Sequence, residues 1–150
     1  MRKILRRLEI VTDEWEGAEV VPLSALAERA AQPHGPLGVS LKPADKVEDL
    51  GPLLSHVSLV TIEFPNPGDG RGYTQAKLLR ERYRFEGEIR AVGAGVKQDL
   101  LFYMARTGID AYDLAPGEDF ASAQRALVKY NVAYQPGAPQ SSVERQRFFR

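Results

Sequence analysis

Glu63-Phe64-Pro65-Asn66-Pro67-Gly68-Asp69-Gly70-Arg71-Gly72-Tyr73 runs directly into Thr74-Gln75-Ala76-Lys77-Leu78-Leu79-Arg80, and the reading of this stretch decides the fold. Ahead of it, residues 57–62 (Val-Ser-Leu-Val-Thr-Ile) form an apolar run of strand length; behind it, apolar residues recur at helical spacing. The glycines and prolines between them therefore mark a strand-to-helix turn. In α/β proteins such turns carry the ligand site. The stretch thus points to a place for chemistry before it points to a reaction.

Working outward, the same alternation repeats on both sides. Residues 37–41 read as a short apolar strand, and residues 43–54 carry Val47, Leu50 and Leu54 at helical spacing, with Asp45 placed as a cap and Glu48 three residues later. Gly51-Pro52 bends or restarts that helix. Tyr73, Ala76, Leu79 and Tyr83 give the central helix an apolar stripe, and Gln75, Lys77, Glu81 and Arg82 fall on its outer side. Residues 86–93 read as a third strand and 96–107 as a helix closed by Gly108. Residues 109–114 read as a fourth strand, and a last helix starts near Asp119 with Phe120, Ala123, Leu127 and Tyr130 on one face.

Four βα units of this kind specify an α/β fold with a mainly parallel sheet and flanking helices, because parallel neighbours need crossover connections. Periodicity does not separate an open sheet covered on both faces from half of a β/α barrel; the open sheet is the preferred expectation. Before this core, residues 3–21 alternate loosely as two short strands, with Trp15 expected against the sheet. A helix at 23–31 follows Pro22, and Gln32-Pro33-His34-Gly35-Pro36 ends it as the best linker candidate. The expected layout is one domain over 1–135, with N-terminal strands and helix over 1–36 and the βα core over 37–135. Residues 136–150 read as a flexible tail whose Phe148 and Phe149 could dock on a partner chain.

Composition removes several functions. The 150 residues suffice for one hydrophobic core, and 20 Lys+Arg against 20 Asp+Glu leave no net field to draw nucleic acid or an anionic membrane. The absence of cysteine excludes disulfides, thiolate metal sites, a Cys nucleophile and an iron–sulfur cluster of its own. The two histidines, His34 and His56, sit near turn residues and offer neither a His-rich metal site nor an evident haem ligand. No run approaches the ~18 apolar residues of a membrane span, and no apolar signal segment follows Met1-Arg2-Lys3, so a cytoplasmic protein is expected.

The loops after the expected parallel strands collect the chemistry-bearing residues. They bring Lys42 from the first, Glu63, Asp69, Arg71 and Tyr73 from the second, Gly93-Ala94-Gly95 with Lys97 and Asp99 from the third, and Asp113 from the fourth. The Gly93-Ala94-Gly95 turn either offers amides to an anion or simply lets helix approach strand. It lacks the third glycine of a dinucleotide fingerprint and the Lys-Ser/Thr of a P-loop. Asp69 suits a helix cap, while Arg71 presents a planar donor fork to a carboxylate, phosphate or sulfur oxyanion with Tyr73 beside it. Glu63 and Asp113 are acid and base candidates at strand ends. Arg90, beside Glu88, suits an ion pair.

Phe64-Pro65, the run from Asp69 to Arg80, the block Gly87-Glu88-Ile89-Arg90-Ala91-Val92-Gly93 and the block Gly108-Ile109-Asp110-Ala111-Tyr112 together resemble the bacterial domain of unknown function 934 over about residues 37–135. Members of that family carry an oxidoreductase label and accompany assimilatory sulfite reductase. The resemblance implies an accessory of sulfite reduction, a small anion or nucleotide in the strand-end cleft, and Arg71 as anion clamp with Asp69 and Tyr73 holding it. If the redox label applies, the electrons travel on a dissociable flavin or NAD(P)H, since the chain owns no cluster or haem. The alternative is a non-catalytic partner of sulfite reductase, or of a second copy, with Arg80, Arg82 and Arg84 as contact surface. The chain departs from the family pattern at Gly93-Ala94-Gly95, where Gly-Asp is usual, and at Thr107, where cysteine is common.

Overall fold

Each short apolar run becomes a strand of one seven-stranded sheet in a computed structural model that describes residues 3–15 and 18–134. In chain order the elements are β1 (Lys3–Arg6), β2 (Glu9–Thr12), β3 (Glu19–Pro22), α1 (Leu23–Ala30), β4 (Leu37–Leu41) and α2 (Val47–Leu50). Then come β5 (Leu59–Glu63), α3 (Arg71–Glu81), β6 (Glu88–Val92), α4 (Leu101–Arg106), β7 (Ala111–Tyr112) and α5 (Phe120–Tyr134). Two 3₁₀ turns, Gly51–His56 and Gln98–Leu100, extend α2 and precede α4. Gly51-Pro52 therefore ends the α-helix and tightens the rest of the predicted segment into 3₁₀ geometry, as proline near the start of a helical piece permits.

The sheet order is β2-β1-β7-β6-β5-β4-β3. Strands β3 to β7 are parallel in consecutive order, so β3, grouped in the sequence with the N-terminal strands, supplies a fifth parallel strand. The hairpin β1–β2 adds to β7 antiparallel, with Leu5 opposite Tyr112. Consecutive order with right-handed crossovers puts every crossover helix on the same side. The packing agrees. Strand residues Val39, Val60, Ile62, Ile89, Ala91 and Tyr112 share one core with helix residues Leu26, Leu50, Leu79, Met104 and Leu127. The helices thus cover one face rather than both, which is the arrangement of a half barrel.

The opposite face carries the alternate residues, with Ser40, Thr61, Arg90, Ala111 and Arg6 falling in one row by strand register. The connection from β2 to β3 begins on it with Asp13, which Arg90 holds. These strands are the two edges of the sheet, about 29 Å apart if it were flat. The intervening residues 13–18 reach at most about 25 Å. The sheet therefore coils so that its edges approach. Asp13 is fixed in place: its Oδ1 accepts from Arg90 Nη1 at 2.9 Å and from the Trp15 amide at 2.8 Å. Arg90 also donates to Glu88 Oε2, and Glu88 Oε1 accepts from Arg6 Nε at 3.0 Å. The pair expected at Arg90 is thus one part of a buried ion network.

Two local expectations change. Asp45 does not cap α2 through its side chain; its Oδ2 accepts from the Lys42 amide at 2.8 Å and closes the preceding turn. The predicted helix over 96–107 shortens to Gln98–Leu100 and Leu101–Arg106. The predicted tail, with Phe148 and Phe149, lies outside the described residues.

Candidate functional site

The β5–α3 turn is held down by its neighbour before it presents anything to solvent. The Phe64 amide donates to Val92 O at 2.8 Å, and Phe64 O accepts from the Gly95 amide at 2.7 Å. A Cβ on Gly93, whose φ is +109°, would lie 2.6 Å from Phe64 O; on Gly95 it would lie 2.7 Å from Asn66 O. Backbone thus stacks on backbone. That contact accounts for both glycines and engages the Gly95 amide within the protein. The helical pieces that follow are short, and Lys97 turns back with its amide on Gly95 O at 3.0 Å.

Asp69 and Arg71 form a self-contained unit at the start of α3. Asp69 Oδ1 accepts from the Arg71 amide and from Arg71 Nε, both at 3.1 Å, and Oδ2 accepts from Nη2 at 2.8 Å. These hydrogen bonds from the Arg71 side chain and then its backbone hold the Asp69 carboxyl below the usual carboxylate range. The Arg71 side chain is 62% exposed, so the pair orders the turn more than it stabilises the fold.

Tyr73 leaves the other flank of α3. Its ring meets Phe64 edge-on, with centroids 5.2 Å apart, and it lines a groove between the β5–α3 turn and α4. Pro67 and Gly68 form one wall and Leu100, Tyr103 and Arg106 the other, enclosing about 460 Å³. Grooves of this size accept small organic ligands. Burial, then the Asp99 carboxylate and then Tyr103, push the Tyr73 phenol above its ordinary value. It stays protonated at neutral pH and can donate a hydrogen bond. Tyr103 is 58% exposed, and the Arg106 guanidinium lies 5.7 Å from the Phe102 ring centroid. The groove therefore offers two phenol rings for stacking, one protonated donor and a cation.

The residues singled out from the sequence are distributed over three places. Tyr73 lines the groove beside α4, Asp99 acts on its phenol only through its charge, and Gly93 and Gly95 support the loop from behind. Arg71 faces a separate groove toward α2, near the Lys42 carbonyl that Gln75 holds. Glu63 and, by continuation of the alternation, Asp113 lie on the helix-free face. Tyr103 and Arg106 are additions from the structure. Their signal was an aromatic at position 103, beside rather than within the apolar stripe of Leu101 and Met104, with an arginine one turn later. Among the described residues no group of three or more His, Cys, Asp or Glu could hold a metal ion, and no helix is long and apolar enough to cross a membrane.

A family model described as a bacterial protein of unknown function (DUF934) matches residues 38–143. The chain belongs to the DUF934 family. The match starts within β4 and spans the groove, so the DUF934 region contains β5 to β7 and the turn that begins α3, while β1 to β3 and α1 precede it. No curated protein matches the chain.

Proposed function

We propose that this DUF934 protein is a cytoplasmic accessory of assimilatory sulfite reduction that binds a flat-ringed anionic ligand, of the flavin or nicotinamide nucleotide class, between α3 and α4. The convergence of Tyr73, Tyr103 and Arg106 on one groove carries the proposal. Stacking on tyrosine faces suits an isoalloxazine or nicotinamide ring, the protonated Tyr73 suits a ring carbonyl or nitrogen, and Arg106 suits a phosphate. The tie to sulfite reduction rests on the family resemblance of the quoted blocks. Titration with FMN, NADPH and sulfite, followed by fluorescence, tests it. Binding of FMN or NADPH should weaken at least about tenfold in Tyr103→Ala and Arg106→Gln, a loss of about 1.4 kcal/mol, and persist in Arg71→Ala. Failure of all three ligands to bind would overturn it.

The exposure of Tyr103 also favours a second reading, in which the same wall is a non-catalytic contact for sulfite reductase or a second copy. Co-purification with the reductase that Tyr103→Ala abolishes, without any ligand response, would support that reading instead.

A further inference from the structure

The chain has two histidines, and the fold brings them together. The cause is register. Strands β4 and β5 are parallel neighbours with Gly38 opposite Leu59, and the Ser58 amide donates to Leu37 O at 2.9 Å, so the pairing runs back to the residues that lead into both strands. His34 stands three residues ahead of Leu37 and His56 three ahead of Leu59. Their ring centroids are 6.0 Å apart, with the planes at 67°. This edge of the sheet is the one opposite the turns that carry the groove beside α4.

His34 is set for more than ring contact. Its Nδ1 lies 2.8 Å from Gly35 O, and a carbonyl can only accept, so Nδ1 carries the proton and the neutral ring keeps its lone pair on Nε2. A backbone carbonyl on one ring nitrogen is the device that fixes the tautomer of a metal-binding histidine. His34 is half-buried, whereas His56 is exposed and can turn. An imidazole nitrogen lies about 1.2 Å from its ring centre and binds zinc at about 2.1 Å, so two rings on one ion have centroids at most about 6.6 Å apart, and about 5.4 Å at a tetrahedral angle. The observed 6.0 Å falls inside that limit, and a closure of roughly half an ångström by His56 completes the tetrahedral geometry.

We infer that His34 and His56 form a site for one divalent transition cation of the zinc, nickel or copper class, which clips the entrance of β4 to that of β5. Imidazole suits these ions, whereas magnesium and calcium take oxygen ligands. Among the described residues no third His, Cys, Asp or Glu joins the pair, so water fills the remaining positions on the ion.

Zinc chloride added to the full chain, followed by long-range nitrogen NMR of the imidazoles, tests this. The metal-free spectrum should show His34 as the Nδ1–H tautomer. Zn²⁺ should shift both imidazoles together at one ion per chain and raise the denaturation midpoint, and Mg²⁺ should do neither. His34→Gln and His56→Phe, the second of which keeps a ring, should each retain the folded spectrum and weaken Zn²⁺ at least tenfold. No response to Zn²⁺, the opposite tautomer of His34, a shift confined to one imidazole, binding that survives either variant, or an equal response to Mg²⁺ would each overturn the assignment.

Discussion

Arg80 shows how one side chain can tie several loops together. It belongs to an arginine-rich stretch read as a possible contact surface, but its guanidinium is buried. Nε donates to Gly108 O at 2.9 Å, Nη1 to Phe85 O and Gly87 O at 2.8 Å, and Nη2 lies 3.5 Å from Asp110 Oδ2. Replacing it by Met would strand a buried carboxylate and three carbonyls. Arg80→Met should therefore lower stability by about 3–5 kcal/mol in urea denaturation. Asp110 adds a pH signature. Burial is the larger influence on its carboxyl and raises it, while Arg80 opposes the rise. A raised acid holds its proton longer in the folded state, so its contribution is fully present below the ordinary aspartate value and is lost as pH climbs through the raised one. The stability of the natural protein relative to Asp110→Asn should accordingly fall with rising pH from about 4 upward, a trend that a pH series of thermal melts would read.

At the scale of elements, the contact between the β5–α3 and β6–α4 loops makes a sharp prediction. Gly93→Ala combines a φ of +109° with a 2.6 Å approach to Phe64 O, whereas Gly117→Ala has a φ of +89° and open space around it. The first should cost about 3 kcal/mol or more and the second about 1, measured as denaturation midpoints. Both glycines were visible in the sequence; which of them backed onto another loop was not, because that depends on residues some thirty positions away. Strands β4 and β5 were legible for the opposite reason: largely apolar runs between turn residues need no partner to be recognised. Gln75 and Arg80 were misplaced because each long polar side chain is buried by distant carbonyls, which helical periodicity cannot register. The groove was half legible, since Tyr73 follows directly on the strand-end turn after β5, whereas Tyr103 joins it from α4 only in the folded chain.

For the whole molecule, the family match and the fold have different limits. The matched region begins at residue 38, yet β3 flanks β4 and β1 covers the edge of β7. Deleting residues 1–22 would expose that edge, remove the Asp13 and Arg6 partners of the buried Arg90–Glu88 pair, and uncover Tyr112. Such a chain should lose cooperative unfolding by circular dichroism; a transition at the full-length midpoint would show the segment to be dispensable. The pairing of Leu5 with Tyr112 also orders events in time. During synthesis β1 has no docking place on β7 until β7 has been made, roughly a hundred residues later, so it is immobilised after strands that pair with nearer neighbours in sequence. In refolding followed by pulsed hydrogen exchange, the amides of Lys3–Arg6 should gain protection after those of Leu59–Glu63.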